Sequence, residues 1–254
     1  MSDSAFEVAA TQTSSAITTA PKATGPQSTI TPGKLPQLVE YSLNSVDSPP
    51  RVRLEKFVCD RFSNCYGAAI VEFFPLFLAR TDNDRISSVV GLRPGTDRPL
   101  FLEQYLHSTL EQAIAGQMGT AVARDQIMEI GNLASSHKSG NQLMFVMLTA
   151  ILAKAGYSWV VFTATAQVRS LLKRLDFHPV TLCEADPTRL VNKHQVWGSY
   201  YQSQPLVQAG NVMDGLDILQ ANKHTRSLLT SHESDIEALA NQLCLLKQQY
   251  RSAD

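Results

Sequence analysis

The sequence lacks a long apolar segment and a strong excess of either charge. Its longest apolar run, residues 143–152, is shorter than the roughly 20 apolar residues that a membrane-spanning helix needs. The formal net charge is −1, so no overall field favours nucleic acid or an anionic membrane. These absences predict a protein with no stable membrane insertion and no nucleic-acid partner.

The sequence also lacks a secretory signal and any spacing typical of a metal site. No basic segment followed by an apolar core stands at the N-terminus. The four cysteines are scattered, as isolated reduced thiols inside a folded core would be, and the six histidines show no pairing at metal-ligand spacing. We therefore expect a cytoplasmic protein that binds no metal.

Composition divides the chain into three parts. Residues 1–34 are rich in Ser, Thr, Ala, Pro and Gln, and such a segment cannot bury enough apolar surface to offset the entropy of ordering. We predict a disordered tail there, a folded domain over residues 35–210, and a C-terminal helical extension over residues 211–254. The whole chain is 44% hydrophobic and 18% charged, as expected of a globular protein.

Hydrophobic periodicity predicts an α/β fold with a mixed central sheet flanked by helices. Strands followed by helices between residues 126 and 182 require at least one crossover connection. The predicted helices cover residues 51–66, 99–117, 141–155, 166–175 and 222–251, and the predicted strands cover residues 73–80, 85–92, 126–133, 157–163 and 178–182. The first two strands form a hairpin around the turn at 82–84.

The last predicted helix, residues 222–251, has a polar face that carries both charge signs. A membrane-surface helix normally has a Lys/Arg bias on that face, so this assignment is disfavoured. Two alternatives remain: the helix packs on the domain, or it pairs with its copy in a homodimer.

Five sequence strings together resemble the thermostable hemolysin family. The strings are Val89-Val-Gly-Leu-Arg-Pro, Leu100-Phe-Leu-Glu-Gln-Tyr-Leu, Met128-Glu-Ile-Gly-Asn-Leu-Ala-Ser, Trp159-Val-Val-Phe-Thr-Ala-Thr and Trp197-Gly-Ser-Tyr-Tyr. The resemblance extends from about Arg51 to Gly210. The family name records cell lysis, but its sequences are similar to GNAT-type acyltransferase folds and in particular to N-acyl-homoserine-lactone synthases.

The resemblance to the lactone synthases implies an N-acyltransferase. Those enzymes carry Gly-x-x-Arg-Leu-x-Pro on a central strand, and Gly91-Leu-Arg-Pro is close to this pattern with a shorter spacing. They also carry a Glu three residues before an Arg, and here Glu129 matches the first position while Asn132 replaces the Arg. The resemblance implies acyl transfer from acyl-CoA or an acyl carrier protein to a small, amino-acid-derived amine, while Asn132 argues against a homoserine-lactone product.

Glu129 is the candidate general base. It lies in an otherwise apolar strand, where burial raises the pKa of a carboxylic acid and suits it to accept a proton near neutral pH. The alternative is a structural carboxylate paired with Arg93 or Arg124.

The polar segment after this strand is the candidate site for the acyl donor. Backbone N–H groups before a helix, together with Lys138, are suited to hold a phosphate or pyrophosphate. GNAT enzymes use Gln/Arg-x-x-Gly-x-Gly/Ala at this place, and here His137 and Gly140 match its first and middle positions while Gln142 replaces its small last residue. The resemblance thus assigns donor binding to His137, Lys138, Ser139, Gly140, Asn141 and Gln142, whereas the residues alone are equally consistent with a plain loop before a capped helix.

The resemblance places the acceptor pocket at Arg93, Glu103, Tyr105 and Asn132. An Arg can hold an acceptor carboxylate with two parallel hydrogen bonds, although a structural ion pair is the more common role. Trp197, Tyr200 and Tyr201 suit either a pocket wall or ordinary core packing. Two further functions stay open at this point: a membrane-acting cytolysin, as the family name implies, and an inactive GNAT-like binding module.

Overall fold

The computed structural model describes residues 39–97, 99–190 and 197–252. The predicted tail at 1–34 lies outside the described residues, and so do the side chains of residues 138–139 and 248–252.

The described residues form one seven-stranded mixed sheet. Its strands are β1 (Val39–Asn44), β2 (Leu76–Asp82), β3 (Arg85–Pro94), β4 (Ile127–Ser135), β5 (Trp159–Ala164), β6 (Val180–Glu184) and β7 (Leu206–Asn211). Their order across the sheet is β1-β2-β3-β4-β5-β7-β6. The pair β4–β5 is parallel, and every other neighbouring pair is antiparallel. The predicted α/β fold with a mixed sheet is confirmed.

Helices cover both faces of this sheet. They are α1 (Arg51–Tyr66), α2 (Leu110–Met118), α3 (Lys138–Lys154), α4 (Ala166–Arg174), α5 (Val212–Ala221), α6 (Lys223–Ser231) and α7 (Glu233–Ser252). Helix α1 ends as predicted at Gly67, whose φ of 65° and backbone N–H close its last turn. Helix α3 makes the crossover that the parallel pair β4–β5 requires.

Two predicted helices are wrong in their extent. Residues 99–117 form a 3-10 turn (Phe101–Tyr105) and then α2, since the Glu103 carboxylate accepts the N–H of Leu110 and so holds a break between them. The predicted helix 222–251 is two helices, α6 and α7, preceded by α5. Asn222 caps the start of α6 by accepting the N–H groups of His224 and Thr225.

Strands β1 and β7 are absent from the sequence-based prediction. The segment of β7, Leu-Val-Gln-Ala-Gly-Asn, contains the β-poor residues Gly and Asn, and it becomes a strand because it lies between β5 and β6 and bonds to both.

The C-terminal helices belong to the main core. Ile236, Leu239 and Leu243 of α7 are buried in the same apolar cluster as the side chains of α3. The apolar side of the extension therefore packs on the domain, which is the first of the two alternatives above. Within the described ranges, no helix is both long enough and apolar enough to cross a bilayer.

Candidate active site at the separation of two strands

The central parallel strands separate partway along their length. β4 and β5 pair only from Ile127 to Ile130 and from Trp159 to Phe162. Beyond these residues β4 continues along β3, and β5 continues along β7. The register shift between β3 and β4 and the φ of 46° at Asn132 mark a bulge where β4 leaves its partner. The separation opens a cleft in the middle of the sheet.

An apolar cavity, here called the splay cavity, fills this cleft with a volume of about 110 Å³. Eight aromatic residues from separate parts of the chain line it: Phe62, Tyr66, Phe74, Phe101, Phe145, Phe162, Trp197 and Tyr200. The Tyr66 and Trp197 rings lie 5.2 and 5.4 Å from the Tyr200 ring. Such a wall is suited to bury an apolar group of a ligand.

The polar atoms of this wall differ in their bonding. The Tyr200 hydroxyl donates to Thr163 Oγ1 at 3.1 Å, and burial raises the pKa of Tyr200, so the hydroxyl stays protonated at neutral pH. The indole Nε1 of Trp197 is buried and has no hydrogen-bond partner among the described residues. An unpaired buried donor is costly.

Asn132 lines the cavity, but its amide is already bonded. Its Oδ1 accepts the backbone N–H of Phe74 at 2.9 Å, and its Nδ2 donates to the backbone oxygen of Glu72 at 3.2 Å. Asn132 thus fixes the segment before β2 over the bulge of β4.

Glu129 lies behind the cavity wall. Its side chain has no exposed surface. Its Oε1 accepts the N–H of Leu102 at 2.6 Å, and its Oε2 accepts the N–H of Phe101 at 3.1 Å. Burial raises the pKa of Glu129 to about 7, although the two amides and Arg93 act in the opposite direction. Since Phe101 and Leu102 line the cavity, the carboxylate contacts the back of its wall.

Arg93 lies between three partners and is mostly buried. Its guanidinium is 4.4 Å from the centre of the Phe74 ring, its Nη1 is 3.8 Å from Glu129 Oε2, and its Nε is 3.7 Å from Asp97 Oδ2. This pairing corresponds to the structural alternative raised from the sequence for Glu129.

Glu103 and Tyr105 do not line the splay cavity. Both oxygens of Glu103 bond to Arg124, at 2.5 and 3.0 Å. Burial alone would raise the pKa of Glu103, but the bonds from Arg124 and two backbone amides lower it. The Tyr105 hydroxyl lies 2.5 Å from that of Tyr201, in a second apolar cluster behind the cavity. Of the seven residues predicted for the acceptor pocket, three line the cavity, and these are Asn132, Trp197 and Tyr200.

A polar groove, here called the donor groove, adjoins the cavity on the side where β4 ends. It has a volume of about 630 Å³ and shares five lining residues with the splay cavity: Phe62, Tyr66, Leu133, Thr165 and Val168. Its polar lining includes Arg61 of α1, Arg174 of α4, and His137 and Asn141 at the start of α3. Of the described residues that line this groove, none is acidic.

The start of α3 differs from the prediction. The helix begins at Lys138, directly after His137, and not at residue 141. Gly140 is therefore buried in the first turn, where a Cβ atom would lie 2.8 Å from Ser135 Oγ. Asn141 lines the groove and Gln142 does not. The backbone of Lys138 and Ser139 forms the first turn, while their side chains lie outside the described atoms.

Sequence reasoning missed the two arginines of the groove and most of the aromatic wall. Arg61 and Arg174 occupy ordinary helical positions with no local motif. Phe62 carried a signal only as part of the apolar stripe of α1, so nothing in the local sequence connected it to Trp197, whose ring centre lies 6.5 Å away.

Comparison with known proteins identifies the family of the chain. The family profile described as thermostable hemolysin matches residues 45–216. The chain belongs to the thermostable hemolysin family. By sequence, no curated protein matches this hemolysin-family chain.

Solved structures similar to this chain match it at low sequence identity. FeeM, an N-acyl amino acid synthase from uncultured soil microbes, is 12% identical with a TM-score of 0.52, over 72% of this chain and 95% of FeeM. The N-acyl-homoserine-lactone (AHL) synthase LasI is 9% identical with a TM-score of 0.49, over 69% of this chain and 91% of LasI. The CoA-dependent acyl-homoserine lactone synthase MesI is 14% identical with a TM-score of 0.47, over 72% and 94% of the two chains. The likeness to FeeM confirms the GNAT-like fold that the sequence resemblance implied.

Among the residues that the structure describes, no group of three or more His, Cys, Asp or Glu side chains is arranged to hold a metal ion.

Proposed function

We propose that this protein is an N-acyltransferase that moves an acyl group from a phosphopantetheine thioester to the amine of a small, amino-acid-derived acceptor. The observation that carries the proposal is the continuity of a polar groove, which has no acidic side chain among its described lining residues, with a buried aromatic cavity at the separation of β4 and β5. A phosphopantetheine thioester has two matching parts, an anionic phosphate end for the groove and an apolar acyl chain for the cavity. The fold shared with FeeM, described as an N-acyl amino acid synthase, supports the same class of reaction.

The donor groove would hold the phosphate of the donor. Arg61 and Arg174 supply positive charge from two helices, α1 and α4, and the 17-residue helix α3 begins at the groove, where the N-terminus of a helix favours an anion. His137 and Asn141 complete the polar lining at that terminus. CoA and an acyl carrier protein both present phosphopantetheine, so either donor fits this chemistry.

Glu129 is the proposed general base. Its pKa of about 7 suits proton transfer near neutral pH. Its carboxylate is covered by the Phe101 and Leu102 amides, so it would reach the acceptor amine after a shift of that turn or through a water molecule. We assign Arg93 to the support of Glu129, because it already contacts that carboxylate, and not to an acceptor carboxylate. Trp197 Nε1, which is buried and has no partner among the described residues, would donate to the thioester carbonyl oxygen after a rotation of its ring toward the cavity.

The test follows free thiol release from a panel of acyl-CoAs and acyl carrier proteins mixed with amino acids. Glu129→Gln should lower the rate by about 10² to 10⁴-fold, while the exposed, remote Glu237→Gln should leave it unchanged. A base role also predicts that the rate of the wild type rises with pH through about 7 and that this rise is missing in Glu129→Gln. If Glu129→Gln is slower but keeps the same pH profile, Glu129 only positions the 101–102 turn.

Two other outcomes would replace the proposal. Lysis of red cells by the purified protein without substrates would favour the cytolysin. No thiol release with any donor, together with tight binding of an acyl thioester, would favour an inactive binding module.

A further inference from the structure

A second apolar cavity, here called the far cavity, lies on the side of the sheet covered by α3 and α5. Its volume is about 170 Å³, slightly more than the roughly 150 Å³ of an apolar cavity that takes up benzene. Helix α5, part of the C-terminal extension, forms its roof through Val212, Gly215 and Ile218.

The interior of the far cavity is apolar. His178 and Asp214 are exposed residues at its edge. The hydroxyl of Thr149 is bonded to the backbone oxygen of Phe145 at 2.8 Å, and Asn211 Oδ1 accepts the N–H groups of the first turn of α5. These polar groups are therefore satisfied or solvated, and the remaining space suits a hydrocarbon chain.

The two apolar cavities have three lining residues in common: Ile130, Phe145 and Phe162. Each of the three is 5% exposed. Ile130 and Phe162 are partners in the last pair of the parallel ladder before β4 and β5 separate, so the sheet itself fixes their backbone. Phe145 comes from α3 and completes the wall with its ring. Phe145 is therefore the one of the three residues whose side chain can be shortened without changing β4 or β5.

We propose that Phe145 sets the maximum length of the acyl chain by closing the splay cavity against the far cavity. This inference rests on the proposed function, because the chain that it limits is the acyl group of the donor. In the wild type the chain ends at the wall formed by Phe145 and the last strand pair, and the far cavity stays outside the acyl site. Shortening Phe145 joins the two cavities and admits a longer chain.

The experiment measures two profiles over saturated chains of 4 to 16 carbons. One is the dissociation constant of the free fatty acid by titration calorimetry, and the other is thiol release from the acyl-CoA. Each buried methylene strengthens binding by about fourfold. The affinity of the wild type should therefore increase with chain length up to a limit and stay constant or fall beyond it. In Phe145→Ala the rise should continue over at least two further carbons, with at least a tenfold gain for the longest chains relative to the wild type. Phe145→Leu should give a smaller gain, and it takes the place of the Ala variant if the latter does not fold.

A filling variant tests where the extra length goes. Ile218→Trp places a large ring in the far cavity from the side of α5 and should cancel the gain of Phe145→Ala, while leaving the wild-type profile unchanged. Met213→Trp is the matched control, because Met213 lies on the same helix, is 49% exposed and does not line the far cavity.

The outcomes separate the two proposals. If Phe145→Ala and Phe145→Leu both keep the wild-type chain-length limit in binding, Phe145 is not the stop and the inference is wrong. The inference is also wrong if Ile218→Trp alone weakens binding of long chains to the wild type, because the wall is then already open. If fatty acids show the Phe145-dependent limit but no thioester is turned over, the inference stands and the acyltransferase proposal falls.

Discussion

The stability of this protein should depend on the ionisation of Glu129, in a direction that is unusual for a carboxylate. Burial raises its pKa from 4.5 to about 7 in the folded protein. Below pH 4.5 the group is protonated in both the folded and the unfolded chain, so burying it costs no ionisation energy and the free energy of unfolding is highest. Between pH 4.5 and 7 the unfolded chain loses this proton while the folded chain keeps it, and stability falls. Above pH 7 both states are ionised and the loss is complete.

The size of this loss follows from the pKa difference. A shift from 4.5 to about 7 corresponds to a loss of about 3 kcal/mol. Three contacts oppose it: the N–H groups of Phe101 and Leu102 at 3.1 and 2.6 Å, and Arg93 at 3.8 Å. A loss of this size requires that the cost of burying the charged carboxylate exceeds the stabilisation from these three contacts.

The assay is urea denaturation of the wild type and Glu129→Gln at several pH values between 4.5 and 8. Gln cannot ionise, so the stability of Glu129→Gln relative to the wild type should increase by about 3 kcal/mol across this range. Glu103→Gln is a control, because the folded-state pKa of Glu103 is lowered below its usual 4.5. Its contribution is fully present above pH 4.5, so the stability of Glu103→Gln relative to the wild type should stay constant across this range. A relative stability of Glu129→Gln that stays flat or decreases with pH would refute the argument, since Arg93 and the amides would then hold the carboxylate charged.

Three further substitutions test the scaffold of the site. Gly198→Ala should lower the free energy of unfolding by at least about 2 kcal/mol in urea denaturation, because φ is +53° and a Cβ would lie 2.1 Å from the Tyr66 backbone oxygen; a near-neutral effect would contradict the described path of this turn. Asn211→Ala removes the cap of α5 and should cost about 1 kcal/mol in the same assay, whereas no loss would mean that the cap does not stabilise the roof of the far cavity. Arg124→Leu leaves the Glu103 carboxylate without its main partner and should cost about 1 to 3 kcal/mol at pH 7. This last loss should shrink on acidification, as Glu103 becomes protonated, and a constant loss would argue against the ion pair as its source.

Much of the fold could be predicted because local signals agree with it. The apolar stripe and Gly67 placed α1, the turn at 82–84 placed the hairpin of β2 and β3, and the alternation of strand and helix after residue 126 placed β4 to α4. The family resemblance is also local, since each of its strings is a continuous segment.

The elements that were missed depend on distant partners. β7 is a strand because β5 and β6 bond to its two edges, and no property of its own six residues requires this. The break between residues 105 and 110 depends on Glu103, which bonds to Arg124 some 20 residues later in the chain.

At the site, the residue types limit which chemistry is available, and contacts between distant segments arrange it. A carboxylate in an apolar strand, a polar segment before a helix and a cluster of aromatic residues are all visible in the residues. That the Glu129 carboxylate bonds to the amides of Phe101 and Leu102, and that Asn132 ties down the segment at Phe74, follows only from contacts across 27 to 58 residues of chain. The cavity exists because two parallel strands pair for four residues and then separate, and hydrogen bonding between strands is a property of the assembled sheet.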